Sequence, residues 1–470
     1  MQQLADSVIS AAKIKGVSYT EARIESSKSS GFVLKNGIPH VSGYDVSKGL
    51  AVRLIFNGAM AFGSTNILDK ASVTKLVDSV IKSAKASAPS ALKTEFSQEN
   101  PEKASYQVKQ KIDVRTVSPE KKLSLLQDID KAILSTKKSV PGRYLILGDD
   151  YVEKFFVNSE GTRINSIIPK TNFTYFTTLK EKGSLIQRYW QYGASGGFET
   201  LTALNLQKVL HDEILTLSKN TREGVKAPTG KIDMVLGPQI VGIVVHESAG
   251  HPGEADRILG REAAQAGESF LSIDSAGKKI GSDKVTIIDD PSIKNSFGYY
   301  EFDDEGVKAR KRYLYKNGKI TEFLHSRQTA AQTSTISNAS ARSSSFDREP
   351  LVRMANTYFE CGEYSEEELI EGVKKGVLMR TFMEWNIDDK RFNQKYVGAE
   401  AYLIENGKIT KPVRQPVLEI TTPKLYSSVD AAANNIEFHA GSCGKGEPMQ
   451  GMPVWFGGPS IRIRKVRLGK

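Results

Sequence analysis

Residues 240–257 read IVGIVVHESAGHPGEADR and contain the most informative pattern in this chain of 470 residues. The apolar run predicts a buried helix, and His246, Glu247 and His251 form an H-E-x-x-x-H pattern at its end. In the better-known H-E-x-x-H zinc helix, the two histidines are four residues apart and share one face. Here they are five apart, so on a regular helix their side chains diverge by about 140°.

This spacing requires a local change in the helix if both histidines are to bind one metal ion. A π-bulge or a loosened last turn absorbs the extra residue. Gly250 permits an unusual backbone dihedral angle, and Pro252 prevents normal continuation of the helix. The sequence therefore predicts a distorted helix end. It leaves two interpretations open, a metal site or two structural histidines that lie beside a glutamate by chance.

A third ligand would favour the metal site. Cys443 stands in a glycine-rich turn that exposes its thiol, and Lys445 nearby favours the metal-binding thiolate. Cys361 has acidic neighbours that oppose thiolate formation, so we expect it to be a small buried residue. The other candidates for the third ligand are Glu254, His325 and His439. Three histidines lack metal-ligand spacing and are interpreted as structural: His40, His211 and His325.

The composition excludes several classes of protein. No run approaches the ~18 apolar residues that a membrane-spanning helix needs. The N-terminal residues MQQLADSVISAAKIKG lack the apolar block of a secretory signal. With only two cysteines, a disulfide framework is not expected, and we predict a cytoplasmic location.

The net charge of +11 raises the question of nucleic-acid binding, because phosphates attract excess Lys and Arg. The excess is spread along the chain, however, and we do not expect a nucleic-acid partner. The densest cluster is Ile461–Leu468, where apolar and basic residues alternate with a slip at Lys465. We interpret it as a terminal strand with a bulge, whose charges discourage edge-to-edge association.

The order of predicted elements indicates an α+β fold. Residues 1–225 are predicted to be a mixed α/β region with a polar, exposed linker near 86–110, and a division of this region into two subdomains is left open. Residues 226–470 are predicted to be a β-rich catalytic domain, with a curved or barrel-like sheet and the metal-binding helix embedded in it. Asn-Gly pairs at 36–37, 57–58, 317–318 and 406–407 predict hairpin turns. Ser72, Ser118 and Ser365 are predicted helix caps, the last in a capping box with Glu368.

Several segments together resemble the TldD/PmbA family of metallopeptidases. The resemblance spans most of the chain, and the His-Glu/Cys combination makes it look like the metal-bearing TldD type. The segments are SGFVLKNG (30–37), GLAVR (49–53), HESAGHPGEADR (246–257), FDDEG (302–306), VRMANTYF (352–359), AYLIENGKITKPV (401–413) and GSCGKGE (441–447).

The resemblance implies one zinc ion per chain, held by His246, His251 and Cys443, with Glu247 as the general base of peptide hydrolysis. Two imidazoles, one thiolate and one open position are typical of a catalytic zinc site. Glu254 would then orient a ligand histidine without binding the metal directly. The open alternative is that Glu254 is a solvated surface carboxylate. His439 is interpreted as a bystander, with a competing ligand as its alternative.

The resemblance also implies a substrate class and partners. The substrates would be unfolded or leader peptides, bound in part by strand addition to a sheet. Arg342 and Arg353 are candidates for contacting the peptide, and their alternative is that of ordinary surface arginines. The chain would work as a homodimer or with a PmbA-type subunit. The competing interpretation is a peptide-binding or regulatory partner subunit with a structural metal and little catalysis.

Overall fold

The computed structural model describes residues 2–262 and 268–469 of the chain. Helices and strands are mixed along the sequence, and one sheet curls into a half-barrel. The predicted α+β class is confirmed. Within the described residues, no helix is both long and apolar enough to cross a membrane.

The elements are labelled in chain order. The helices are α1 (Gln2–Ile14), α2 (Lys70–Ser87), α3 (Pro119–Ser135), α4 (Glu199–Thr202), α5 (Leu206–Glu223), α6 (Pro238–Val245), α7 (Ala255–Ile258), α8 (Arg327–Gln332), α9 (Glu366–Glu371) and α10 (Thr422–Ser428). The strands up to residue 226 are β1 (Tyr19–Lys35), β2 (Ile38–Phe56), β3 (Ala59–Thr65), β4 (Lys103–Gln107), β5 (Ser139–Asn158), β6 (Arg163–Glu181), β7 (Ser184–Ser195) and β8 (Val225–Lys226). The later strands are β9 (Lys231–Leu236), β10 (Ile287–Asp289), β11 (Arg312–Lys316), β12 (Lys319–Ile320), β13 (Ala341–Arg342), β14 (Leu351–Val352), β15 (Asn356–Phe359), β16 (Lys375–Ile387), β17 (Asn393–Glu405), β18 (Lys408–Arg414), β19 (Val417–Thr421), β20 (Val429–Ala432), β21 (Glu437–Lys445), β22 (Gln450–Gly458) and β23 (Ile461–Arg467).

The N-terminal sheet has the strand order β3-β2-β1-β5-β6-β4, and β7 also pairs with β6. Side chains alternate between the two faces of a strand. On β1, Ile24 and Phe32 therefore point to the same face, where they join cores that include residues of α1, α2 and α3. Arg23, Glu25 and Ser27 point to the opposite, polar face, which borders a cavity.

The local signals in the sequence are confirmed in most places. Each predicted Asn-Gly turn joins two consecutive strands, with positive φ at both residues. Ser118 caps α3, and Ser365 forms the predicted capping box of α9 with Glu368. Ser72 does not cap α2, which begins two residues earlier at Lys70. Asp69 is the cap, since its carboxylate accepts a hydrogen bond from the Ser72 amide at 2.7 Å.

The polar stretch near 86–110 is not simply an exposed connection. Residues 103–107 form β4, which pairs in parallel with β6. Ser97 is buried, and its carbonyl accepts hydrogen bonds from the Arg327 guanidinium, while its amide donates to the Arg327 carbonyl. A cation far along the chain therefore fixes a segment whose composition resembles a linker.

Two sheets enclose the central helix of the C-terminal half. One has the order β20-β23-β9-β16-β17-β18-β8, with β19 also paired to β17, and the other has the order β12-β11-β10-β15-β22-β21. Helix α6 contacts β16 of the first sheet and β15, β21 and β22 of the second. The end of α6 is therefore held between the two sheets, and every residue from 240 to 257 is buried.

Strand β23 corrects our interpretation of the basic C-terminal cluster. The bulge is confirmed, because the register shifts between Ile463 and Val466 and Lys465 has a φ of 52°. The strand is not an exposed edge, however, since it lies between β9 and β20. Two of its basic side chains, Arg462 and Arg464, form ion pairs with Asp430 at 3.0 and 2.7 Å. Asp430 on the neighbouring strand β20 thus neutralises these two basic side chains. They do not protect an exposed strand edge, as we had expected.

Buried polar contacts join the two predicted regions of the chain. Arg53 on β2 binds Glu21 on the neighbouring strand at 2.9 Å and Glu305 of the C-terminal half at 2.8 Å. Arg188 on β7 donates to the carbonyl of Phe382 on β16 at 2.6 Å. The division near residue 225 and the possible subdomains stay predictions.

Candidate metal centre

Helix α6 ends in the turn that the histidine spacing predicts. Gly242 lets the helix approach β22, since a Cβ atom there would lie 2.8 Å from Phe456. His246–Gly250 form one π-helical turn, in which the amide of His251 donates to the carbonyl of His246. This turn absorbs the extra residue, and the two imidazole centroids are 4.9 Å apart. The predicted distortion of the helix end is confirmed.

Gly250 has a different role from the one we expected. Its φ of −63° is that of an ordinary helical residue, so the expectation of an unusual dihedral angle is wrong. The residue must be glycine for lack of space, because a Cβ atom there would lie 1.9 Å from Sδ of the buried Met354. Pro252 lies in a short 3₁₀ turn, His251–Gly253, which ends the helix as predicted.

Cys443 lies on β21, 192 residues after His251 in the sequence, and its side chain approaches both histidines. Its Sγ lies 3.4 Å from Nε2 of His251. One donor atom from each of His246, His251 and Cys443 lies within 4.8 Å of the other two, and all three side chains are buried. In residues 2–262 and 268–469, no other group of His, Cys, Asp or Glu side chains is arranged in this way.

The donor set fits a zinc ion, since zinc prefers imidazole nitrogen and thiolate sulfur. Nδ1 of His246 is buried and has no hydrogen-bond partner in the described part of the chain. Burial lowers the pKa of His246, which favours the neutral imidazole that binds metals. Burial opposes ionisation of Cys443, but the neighbouring His251 ring and the Arg353 guanidinium lower the pKa of its thiol to about 7.

Glu254 lies behind His251 and fixes the orientation of its ring. Its Oε2 pairs with Nδ1 of His251 at 2.9 Å, which leaves Nε2 facing Cys443. The same oxygen accepts a hydrogen bond from Nε of Arg257 at 2.7 Å. The carboxylate is fully buried, so the alternative of a solvated surface residue is wrong. Although burial opposes the charge, Lys445, His251 and Arg257 hold the pKa of Glu254 well below its usual range.

Lys445 interacts with the carboxylates of Glu254 and Asp256 and not mainly with the thiol of Cys443. Its ammonium is buried, donates to Oδ1 of Asp256 at 2.6 Å and to the carbonyl of Val352 at 2.8 Å, and lies 3.5 Å from Glu254. Our expectation that Lys445 promotes the Cys443 thiolate is therefore wrong. His251 and Arg353 lower the pKa of this thiol instead.

Glu247 is paired with a cation that the sequence analysis missed. Its carboxylate forms an ion pair with Nη1 of Arg391. Burial opposes the charge of Glu247, but His251 and Arg391 lower its pKa, so the group is a carboxylate at neutral pH. Arg391 is 144 residues from Glu247 and belongs to no local motif, so the sequence contained no signal for it.

A cavity of about 260 Å³ is bordered by His246, Glu247, His251 and Cys443. Both halves of the chain build its wall, which includes Trp190 of β7 and the aromatic residues Phe382 and Trp385 of β16. Apolar walls with a few convergent polar groups are typical of cavities that bind a substrate. The cavity therefore brings together a group of side chains that could hold a metal ion and a neighbouring carboxylate.

Sequence models for three domains of one family match most of the chain. Domain 1 of the PmbA/TldA metallopeptidases matches residues 20–84, their central domain matches residues 112–221, and their C-terminal domain matches residues 229–470. The chain belongs to the PmbA/TldD metallopeptidase family. The resemblance noted from the sequence is thereby confirmed.

Relatives and a solved structure agree with this family. A metalloprotease of Methanocaldococcus jannaschii is 31% identical over 458 residues, which cover 94% of this chain and 95% of the relative. A zinc metalloprotease TldD homolog of Saccharolobus solfataricus is 30% identical over 254 residues, 53% of this chain and 54% of the relative. The crystal structure of TldE from Thermococcus kodakarensis has the same fold, with a TM-score of 0.77, 16% identity and coverage of 99% of this chain and 100% of that one.

Arg342 and Arg353, which we expected to contact the peptide, are both buried, so they are not ordinary surface arginines. Arg353 donates to the carbonyls of Cys443 and Gln450, and this fixes the ribbon of β21 and β22 that presents the thiol. Arg342 donates to the carbonyls of Met354 and Pro453 and borders a second cavity. Neither arginine lines the cavity beside His246 and His251.

The remaining sequence candidates lie away from the metal ligands. His439 is buried with its ring centroid 5.2 Å from that of Trp190, and burial together with Arg188 lowers its pKa to about 3. Cys361 is exposed, so our expectation of a buried residue is wrong. His325 pairs with Thr329 on α8, as a structural histidine does.

Proposed function

We propose that this chain is a zinc-dependent peptidase of the TldD type, which hydrolyses peptide bonds in unfolded or leader peptides. The observation that carries the proposal is the single cavity that joins His246, His251, Cys443 and Glu247. Three neutral or anionic donors beside a carboxylate form the arrangement that metal-dependent hydrolysis requires. The family membership of the chain supports the same reaction class.

In this proposal, His246, His251 and Cys443 would hold the zinc ion. Zinc bound there would supply Lewis-acid chemistry by activating water and polarising the peptide carbonyl. Glu247 accepts the proton of the attacking water and delivers it to the leaving amine. Arg391 holds the Glu247 carboxylate in place, and Glu254 keeps His251 in the tautomer that presents Nε2.

The wider setting of the reaction belongs to the same proposal. An extended peptide can bind along a strand edge through main-chain hydrogen bonds, with little dependence on sequence. We propose a cytoplasmic protein that works as a homodimer or with a PmbA-type subunit.

Metal analysis tests the proposed ligands. Elemental mass spectrometry of the purified chain should find about one zinc ion per chain. Cys443→Ala should lose most of the metal because the thiolate is a ligand, whereas the matched control Cys361→Ala changes an exposed cysteine and should retain it. Zinc retained in Cys443→Ala would exclude this ligand set.

Glu247→Gln separates catalysis from a structural metal. Cleavage of an unfolded peptide should fall by at least a factor of about 100, because amide cannot replace a general base. The zinc content should stay unchanged, since Glu247 is not a proposed ligand. Unchanged peptidase activity would favour the alternative, a peptide-binding or regulatory subunit whose metal is structural.

A further inference from the structure

A second cavity, of about 430 Å³, lies between the polar face of the N-terminal sheet and the C-terminal half. We call it the sheet cavity. Side chains of β1, β5 and β6 form one wall, including Arg23, Lys154 and Lys170. Residues 299–304, 342–345 and 451–453 form the opposite wall. Several aromatic residues border it as well: Tyr106, Phe156, Tyr299, Tyr300 and Phe302.

Two of the five carboxylates that border the sheet cavity are paired with one cation. Lys154 binds Asp304 at 2.9 Å and Glu25 at 3.4 Å. Asp303 accepts hydrogen bonds from the backbone amides of Val307 and Ala341, while burial and Glu305 raise its pKa well above the usual range. Asp45 and Asp150 also border the cavity, and within the described residues neither forms an ion pair with its other cations.

Three cations of the sheet cavity form no direct ion pair with a carboxylate within the described residues. Lys170 is half-buried and forms neither a hydrogen bond nor an ion pair there. It stands opposite Asp150 in the register of β5 and β6, but the two form no ion pair. Arg342 and Arg23 are almost fully buried and donate to backbone carbonyls.

The crowding of Lys170 by Arg342 and Lys154 is reflected in its pKa. Burial and the nearby charges of Arg342 and Lys154 lower the pKa of Lys170 to about 7. Burial also raises the pKa of Asp150, which disfavours the charged form of the carboxylate opposite Lys170 in the register. A bound anion would relieve the repulsion among these cations, and it would keep Lys170 protonated at neutral pH.

The sheet cavity is next to the metal centre. Strands β21 and β22 pair in register, with Cys443 opposite Met452 and Gly444 opposite Gly451. Cys443 and Gly444 border the cavity of the metal centre, whereas Gly451 and Met452 border the sheet cavity. Paired strands are about 4.8 Å apart, and an extended peptide advances about 3.3 Å per residue. A peptide therefore needs only a few residues to cross this ribbon.

We propose that the sheet cavity binds a carboxylate group of the peptide substrate, through Lys170 supported by Arg342 and Arg23. The carboxylate comes from the C-terminus of the peptide or from an acidic side chain near the cleaved bond. The aromatic residues pack against the neighbouring part of the peptide. This inference rests on the proposed peptidase function, because it concerns the same substrate.

Equilibrium binding tests the sheet cavity separately from cleavage. In the Glu247→Gln background, fluorescence anisotropy is measured with three labelled unstructured peptides. The first has no acidic side chain and a free C-terminal carboxylate, the second is its C-terminal amide, and the third is the amide with one added glutamate. The free acid should bind about tenfold more tightly than the plain amide. Tight binding of the third peptide would assign the carboxylate to a side chain.

Variants of Lys170 connect the preference to the sheet cavity. Lys170→Met should abolish the difference between acid and amide, and Lys170→Arg should keep it because the charge is retained. The matched control Lys408→Met removes an equal charge from an exposed position on β18 and should change nothing. Equal affinity of the unsubstituted chain for all three peptides, or a preference that survives in Lys170→Met, would overturn the proposal. Absence of binding to any peptide would instead overturn the proposed substrate class.

Discussion

Arg391 shows how a single residue can decide the geometry of the active site. Its φ of 62° is left-handed, and the Asp388 carboxylate fixes the turn by accepting the amides of Phe392 and Asn393 at 2.7 and 3.0 Å. This turn directs the guanidinium to Glu247. Nε of Arg391 is buried and has no hydrogen-bond partner in the described part of the chain.

Arg391→Gln should lower kcat for an unfolded peptide by a factor of about 10 to 100, because a misplaced general base reacts poorly. The zinc content should not change, since the guanidinium is not a metal ligand. Arg391→Lys should restore part of the activity, because it keeps a cation beside Glu247. Steady-state kinetics and metal analysis check this result. Lys390→Gln, a change at the exposed neighbouring residue, is the matched control and should keep the wild-type kcat.

At the scale of residues, the sequence predicts some parts of the site and not others. His246, Glu247 and His251 are visible because one helix end contains all three. Cys443 is visible because glycines surround it. Arg391 is not predicted as a site residue, and Arg353 is predicted only as a candidate for contacting the peptide, because the partners of both are distant in sequence and a single arginine carries no spacing. The role of Arg353, which holds the carbonyl of Cys443, depends on two strands being paired.

The π-helical turn at His246–Gly250 is the element on which the centre depends. The spacing of five between the histidines predicts it, since only an extra residue in the turn can align them. The reason for Gly250 could not be predicted, because it is the thioether of Met354, which approaches from another part of the chain.

Gly250→Ala should therefore destabilise the chain by about 1–3 kcal/mol, since the added methyl group overpacks a buried site. It should also reduce the zinc content, because relief of the overlap moves the turn that carries both histidines. Urea unfolding and metal analysis measure the two effects. Gly31→Ala is the control, as its added Cβ would have no neighbour within 4 Å. Unchanged stability and zinc content in Gly250→Ala would contradict the steric explanation.

Among the helices and strands, some features depend on neighbouring residues in the sequence and others depend on distant ones. Hairpin turns, the caps Ser118 and Ser365 and the bulge at Lys465 follow from short patterns and are correctly predicted, whereas the cap of α2 is Asp69 and not the predicted Ser72. The parallel strand β4 and the internal position of β23 are not, because each depends on a partner strand chosen by the tertiary fold. The α+β class is predictable from the alternation of apolar residues alone, whereas the strand order is not.

At the scale of the whole molecule, ion pairs join the N-terminal sheet to the C-terminal half. Lys154 of β5 binds Asp304 at 2.9 Å, and Asp304 also accepts a hydrogen bond from the amide of Ser343 at 2.8 Å. Burial opposes the charge of Asp304, but Lys154 and Arg23 lower its pKa to about 2. A carboxyl group with a lowered pKa stabilises the folded state above its unfolded pKa, and this contribution is lost as the pH falls through the folded value.

Asp304→Asn should therefore lower the free energy of unfolding by about 2 kcal/mol at pH 7, since each unit of pKa shift corresponds to about 1.4 kcal/mol. The difference from wild type should persist to about pH 4 and shrink below it, as the wild-type carboxylate is protonated. Urea unfolding at a series of pH values measures the difference. Asp212→Asn, in an exposed pair with Lys208, should barely change the unfolding midpoint. A difference that does not depend on pH would exclude the ionic explanation.

The long separation between His251 and Cys443 has a consequence for the timing of protein synthesis. The ribosome makes α6 and both histidines 192 residues before the cysteine. Strand β21 must then pair with β22, and β22 with β15, before the thiol is held in position. During translation the chain therefore exists with an incomplete set of donors. Other nascent polypeptides nearby are themselves unfolded. They would be exposed to a working protease only after these late strands have folded, because the donor set is incomplete until then.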